Sequence, residues 1–390
     1  MAVEAQTRAI VARTSSRTTL RQVFLPLGQI LLFVVGSAAA LCTIVVLLGL
    51  LLGPLTGQPR LLNGVLAILP IVVIDGLVVG FLYATIALGY TMVYGVLEFI
   101  NFAHGEIFMV GAFVGGELAL FMVSHGLLGS IPALLFVVLA VLLGMAASGL
   151  LAVTVERVAY RPLRNAPRLV PLISAIGVSL VLQDLVRLIE GTFGRFYLTY
   201  PDLGLNRRFR FAQIQTATGV KLNVDIDSKS LIFIITALII LMALNYLVNA
   251  TKIGKAIRAV AQDRPTASLM GINVNRIISL TFLIGGALGG AAGVLFGIKY
   301  STINPYVGFL PGLKAFTAAV LGGIGNITGA MVGGIVLGLL ETFVANYLSL
   351  FTRGKFGGAD YASVAAFLIL IGILIFRPSG LLGEATAQKV

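Results

Sequence analysis

Charge is what this chain has least of. Only 11% of its 390 residues are Asp, Glu, Lys or Arg, against roughly a quarter in soluble domains, which excludes a soluble globular protein. Cysteine is almost missing as well. Cys42 is the single one, so intramolecular disulfides and thiolate metal clusters are ruled out. The two histidines, His104 and His125, lack the helical spacing of a zinc hydrolase, and no metal site is expected. No G-x-x-x-x-G-K-[ST] phosphate loop occurs: Gly254-Lys255-Ala256 lacks the upstream glycine and the hydroxyl, and Gly322-Gly323-Ile324-Gly325 lacks the lysine. If ATP drives this protein, another subunit binds it. Basic faces interleaved with aromatics are also absent, so the net charge of +12 does not indicate a nucleic-acid partner.

What the chain does have is apolar sequence, 58% of residues, with a mean hydropathy of +1.03. A span needs about 20 apolar residues to cover a ~30 Å hydrocarbon core. Runs of suitable length occupy Leu27–Leu52, Ile71–Leu97, Ile107–Val123, Ile131–Val155, Val170–Ile189, Leu231–Val248, Ile277–Ile298, Gly329–Leu348 and Tyr361–Phe376. Gly308–Gly325 is apolar but broken by Pro311 and five glycines, so it crosses as a broken helix or re-enters; crossing is the favoured reading. These runs are continuous, unlike the alternating strands of a barrel. The expected fold is an all-α membrane protein, a polytopic bundle of about 9–10 transmembrane helices. An uncleaved first span is expected, because the run after the basic start has no small-residue cleavage site.

Lys and Arg concentrate on cytoplasmic loops. Residues 1–22, 156–168 and 251–276 carry basic clusters, and even numbers of spans separate them, so all three are placed in the cytoplasm. The loop 191–230 then lies outside, with six basic residues at lower density. The segment 251–276, tied at both ends to spans, is a handle by which a docked partner moves the helices behind it.

Forty-six glycines require a reason. Lipid supplies no hydrophobic drive between helices, so close packing relies on small residues four apart. Gly285, Gly289, Gly293 and Gly297 form such a stripe, read first as helix packing within the chain and second as a sliding surface or subunit interface. Ionisable groups at membrane depth face a cavity or a partner. Glu98, Asn101, His104 and Glu106 fall within nine residues among Phe99, Ile100 and Phe102, and helical spacing puts Asn101 and His104 on one face. Asp184 and Arg187 suggest a neutralising pair, while Glu117 and Glu341 sit in other spans.

Several motifs, in order, carry a resemblance: TMVYGVLEFINFAHGEIFMVGAF (Thr91–Phe113), VERVAYRPLR (Val155–Arg164), LISAIGVSLVLQD (Leu172–Asp184), AVAQDRPTASLMGINVNRII (Ala259–Ile278), INPYVGFLPGLKAFTAAVLGGIGNITGAMVGG (Ile303–Gly334) and RPSGLLG (Arg377–Gly383). Together they resemble permease subunits of bacterial branched-chain amino acid ABC importers. The resemblance implies a permease domain over 71–383, with a coupling segment at 251–276 and an external loop at 191–230. Outside it lie a basic tail (1–26), an extra helix and linker (27–70) and a C-terminal tail (384–390).

Such a subunit sits in the bacterial inner membrane and pairs with a second, related permease, two cytoplasmic ATPase subunits and a periplasmic solute-binding protein. It is not itself an enzyme; ATP and Mg belong to the ATPases. The coupling helix of such permeases fits a cleft on the ATPase, which here implicates Lys255, Ala256, Arg258, Ala259, Arg264, Ala267, Leu269, Met270 and Gly271. Their E-A-A-x-x-x-G signature is degenerate here: Ala267 is kept, and Pro265 replaces the acid. Asn101, His104, Glu106 and Glu98 are candidates for the translocation path. Urea, short amides or other amino acids are alternative substrates, and a passive channel is the alternative of a different class. An intramembrane hydrolase, resting on His104 with Ser174 or Ser179, finds no nucleophile–base pair in the sequence.

Overall fold

In the computed structural model, residues 2–55, 57, 61–167, 169–215, 221–377 and 379–383 are described, and the expected tail 384–390 lies outside them. The chain folds into α1 (Ala2–Leu55), α2 (Leu61–Leu97), α3 (His104–Ser124), α4 (Ala133–Val155), α5 (Leu169–Thr192), α6 (Ser228–Ala250), α7 (Lys252–Gln262), α8 (Arg264–Leu269), α9 (Val274–Tyr300), α10 (Phe309–Gly322), α11 (Ile327–Phe351) and α12 (Gly358–Phe376). Among the described residues, nine helices are long and apolar enough to cross a membrane: α1 from Gly28, α2 to α6, α9, α11 and α12. The all-α bundle is therefore confirmed.

Two boundaries differ from expectation. The second span begins at Leu61 rather than Ile71, because Pro70 is accommodated inside α2. Most of the expected linker before residue 71 is thus helix. The extra first span packs on the bundle: Val45 joins Val65, Val72, Ile335, Leu339 and Phe343 along the seam of α2 and α11.

The external loop is not featureless. Arg208–Gln215 (β2) and Lys221–Asp227 (β3) pair antiparallel, with Arg208 opposite Asp227, while β1 (Leu198–Thr199) pairs with β4 (Thr302–Ile303). Lys299 at the end of α9 contacts both carboxylate oxygens of Asp227, at 2.9 and 3.1 Å, which ties the hairpin to the bundle. Burial raises the Asp227 carboxyl, but hydrogen bonds from Ser230 and Lys299 outweigh burial and hold it below the ordinary carboxylate value.

Glycine sets how closely the helices approach. Gly76 and Gly80 of α2 meet Leu339 and Ile335 of α11; a Cβ on Gly80 would stand 2.7 Å from the Ile335 Cα. The stripe on α9 is used within the chain: Gly285 faces Gly89, Gly289 faces the His104 ring, Gly293 faces the Phe108 backbone and Gly297 faces Tyr200. A second face of α9, about 100° round the helix at Gly286 and Gly290, meets Ala152, Ser148 and Gly144 of α4. With glycine on two sides, α9 becomes the centre of the bundle.

α10 has 14 residues, so at 1.5 Å per residue it is about 21 Å long, too short for a ~30 Å core. Pro311 sits in its first turn, where no backbone N–H is needed. Gly323, with φ +107°, ends it in a conformation that side chains disfavour. The Leu381 and Leu382 N–H groups donate to Leu321 O (2.8 Å) and Gly322 O (3.0 Å), so the C-terminal segment caps this end of α10. The start of α10 lies against Gly105, deep in the bundle, and Ser301 sits on the hairpin side, accepting from Tyr200 N–H at 2.7 Å. Segment 301–326 therefore passes through the bundle as a loop followed by a half-length helix, in the crossing sense that the sequence favoured.

Candidate functional site

α2 stops at Leu97 because Glu98 adopts φ +58°, and the chain turns back into the bundle. α3 then starts at His104, already buried, with glycine rather than side chains where α10 and α9 approach it at Gly105 and Gly111. The helical spacing expected for Asn101 and His104 does not apply, since Asn101 precedes the helix.

The four expected path residues have different surroundings. Glu98 is exposed at the end of α2. Asn101 Oδ1 accepts from the Tyr160 hydroxyl at 2.7 Å, and its Nδ2 is buried without a partner. The His104 ring meets Tyr90 edge-on at 4.7 Å between centroids, and its Nε2 is likewise unpartnered. Glu106, 1% exposed, accepts at Oε1 from Gln183 Nε2 (2.7 Å) and Ser179 Oγ (3.2 Å), while Oε2 has no partner.

Only Glu106 of the four lines the large cavity. This space of about 690 Å³ lies between α3, α5 and the first turn of α10, with Tyr90, Phe102, Ser179, Gln183 and Tyr306 on its wall. Ser179 and Gln183 are one helical turn apart, so they share the face of α5 turned to Glu106. The hydroxyl of Ser179 is thereby engaged by a carboxylate, which gives the hydrolase alternative no support.

A second cavity of about 620 Å³ lies on the other side of α10, bounded by Tyr83, Tyr300, Lys314 and Glu341. Lys314 pairs with Glu341, whose other oxygen accepts from Tyr83 at 2.7 Å. Tyr306 and Leu310 line both cavities, which makes the start of α10 the partition between them. Lys314 and Tyr306 escaped the sequence reading. A lysine inside the apolar stretch 308–325 was the one available signal.

Other charged groups act as anchors. Asp184 and Arg187 pair at 3.4 Å, but both side chains are exposed, and Arg187 also reaches the Tyr306 hydroxyl at 3.1 Å. Glu117 pairs with Arg195 at 2.6 Å near the hairpin side.

The bridge 251–276 folds as two short helices. Ile257 and Val260 of α7 are buried, and Lys255 points outward. Leu269 and Met270, at the end of α8, are 88% and 79% exposed. Ala267 is a correction: it is 4% exposed and belongs to the core, because the face of α8 that carries it is turned to the bundle. Two cations expected to meet a partner are occupied internally. Arg258 donates to Val248 O and to Asn249 Oδ1 (3.3 Å), and Arg264 donates to Val96 O at 2.6 Å. Those bonds join the bridge to the ends of α6 and α2. Ala256 and Ala259 are half-buried, and Gly271 is exposed with φ +82°.

A family model described as branched-chain amino acid transport system, permease component, matches residues 72–376. The chain is 43% identical over 317 residues to the high-affinity branched-chain amino acid transport system permease protein BraD of Pseudomonas aeruginosa, covering 81% of this chain and 96% of that one. It is 41% identical over 318 residues to LivH of Escherichia coli, a permease protein of the same description, again covering 81% and 96%. A shorter similarity, 31% over 145 residues, reaches the ribose import permease protein RbsC of Escherichia coli, over 35% of this chain and 42% of that one. No solved structure matches. With nine apolar helices among its described residues this is a multi-pass inner-membrane protein, and the chain belongs to the family of branched-chain amino acid transport system permease components.

Proposed function

We propose that this chain is the membrane-spanning subunit of an ATP-driven importer that moves branched-chain amino acids inward. The relatives with most of their length in common are permeases of high-affinity branched-chain amino acid systems, which supports the substrate class. The chain would work beside a second related permease, two cytoplasmic ATPases that hold ATP and Mg, and a periplasmic binding protein that selects the solute.

One observation carries the driven mechanism: an apolar knuckle, Leu269–Met270, exposed at the tip of a bridge that is bonded to the ends of α2 and α6 and runs straight into α9. An exposed apolar pair at a helix end is suited to a partner's cleft. Lys255, with Ala256 and Ala259 on the same helix, and Gly271 beyond the knuckle would complete the docking surface. Motion of the bridge would pass to α9, the glycine-packed centre, and from there to His104 and the cavity that Glu106 lines. Asn101, in the α2–α3 link and held by the Tyr160 hydroxyl, would act on the path's gate, and Glu98 would mark its cytoplasmic end.

The test is leucine uptake by cells deleted for this chain and complemented with it. Uptake restored only by the chain, and reduced by excess isoleucine or valine, supports the reading. Uptake reduced instead by urea or acetamide assigns the alternative substrates.

A further inference from the structure

We propose that Glu106 and the first turn of α10 form a binding site for an α-amino acid zwitterion with an apolar side chain, Glu106 taking the ammonium group. This rests on the permease reading above and names the group that its path recognises.

Glu106 is a carboxylate in the middle of a membrane bundle. Two neutral donors, Gln183 and Ser179, hold Oε1, while Oε2 is buried with no partner. Among the described residues, no Lys or Arg forms an ion pair with it. A buried carboxylate lacking a counter-cation is costly. The neighbouring carboxylates are built differently: the buried Glu156 has Arg164, the buried Glu190 has Arg195 at 3.5 Å, and the half-buried Glu341 has Lys314. Among the described residues, Glu106 is the buried carboxylate with no Lys or Arg beside it, left to be neutralised by something that enters.

The surroundings fit a molecule with a cation at one end and an anion close by. Gly308 permits the approach, since a Cβ there would meet the Gly105 carbonyl and stand 3.0 Å from Glu106 Oε2. The start of α10 is thereby placed beside the carboxylate. A helix start presents amide N–H groups without intrahelical acceptors and the positive end of the helix dipole, an arrangement that discontinuous membrane helices offer to anionic substrate groups. In α10 the Phe309 N–H is taken by Tyr306 O at 3.2 Å and Pro311 has none, while Gly308 and Leu310 both line the cavity. The Tyr306 hydroxyl, already accepting from Arg187, stands on the same wall. The substrate carboxylate belongs at this end.

The remaining wall is apolar, with Phe102, Ile176, Leu180, Phe309 and Leu313 around a space of about 690 Å³. A branched aliphatic side chain suits it. Urea and neutral amides offer no cation to Glu106, so the site discriminates against them by chemistry, not by size.

The experiment is saturation-transfer NMR on the full chain purified in detergent, with L-leucine, 3-methylbutylamine, 4-methylpentanoate and urea as separate probes. Leucine and the amine are expected to receive saturation, and the acid and urea are not. In Glu106→Gln the leucine affinity should fall about tenfold or more, since a hydrogen bond to a charged group is lost. Equal signals from 4-methylpentanoate and leucine, no leucine signal, or an unchanged Glu106→Gln each overturn the proposal. If that variant does not purify, the probe series on the unaltered chain decides alone. Failure here, with leucine uptake still dependent on the chain, leaves the importer reading standing. Success here with uptake independent of the chain removes that reading instead.

Discussion

Replacing Leu269 and Met270 together by Asp isolates the proposed docking surface from the fold. Both side chains project from the end of α8 into open space, 88% and 79% exposed, so the bundle loses no packing when they change. Fully burying a leucine or methionine is worth about 1.5–3 kcal/mol, so covering this pair contributes about 2.5–5 kcal/mol to an interface. At 1.4 kcal/mol per tenfold, their loss weakens docking by about a hundredfold to a few thousandfold. Lys255→Ala is the contrasting variant. A rim ion pair is worth ~0–1 kcal/mol, so its removal changes docking by about fivefold at most. Affinity-tagged chain, co-expressed with the proposed ATPase subunits, gives the assay: recovery of ATPase on the tag, together with leucine uptake. The double variant should insert and elute as the parent does, lose the ATPase and stop transporting. Unchanged recovery and uptake in the double variant, or a larger loss in Lys255→Ala, would refute the reasoning.

Three further outcomes follow from the same geometry. Glu341→Leu leaves Lys314 buried without its partner, which costs about 3–5 kcal/mol, whereas Lys314→Met with Glu341→Leu recovers most of that loss; thermal unfolding followed by size-exclusion chromatography separates the two cases. Gly80→Val drives a side chain into the Ile335 backbone, which cannot yield as a flexible side chain would, so destabilisation of at least about 1–3 kcal/mol and a fall in monodisperse yield are expected. Cys42 is the only native thiol, so Met270→Cys in a Cys42→Ser background reports sidedness: a membrane-impermeant maleimide should label it in inside-out vesicles and leave it untouched in intact cells.

The spans were legible because runs of some twenty apolar residues have few alternatives in a chain this poor in charge. Their ends were less so. Pro70 reads as a helix breaker, yet α2 carries it, since lipid leaves helical backbone no better partner than itself. The hairpin was overlooked although RFRFAQIQ and KLNVDID alternate, because the loop was weighed by its length and charge. At the site, the polar cluster 98–106 was visible, but its sorting was not. Glu106 finds Ser179 and Gln183, 73 and 77 residues away, and only three-dimensional packing brings them together. Along the bridge, sequence identified the segment and misjudged its faces: Ala267 turns inward, and Arg258 and Arg264 bind the bundle. Gly271, with φ +82°, also makes a poor mutational probe of docking, because any side chain there adds backbone strain of about 1–2 kcal/mol.

Reconstitution into liposomes of this chain with the proposed second permease, ATPases and binding protein puts the driven mechanism to its hardest trial, with radiolabelled leucine outside and ATP trapped within. Accumulation of leucine against its gradient is expected only when both ATP and this chain are present, and it should vanish with the Leu269→Asp/Met270→Asp variant. Leucine that equilibrates across the membrane at the same rate without ATP would contradict it and identify a passive facilitator.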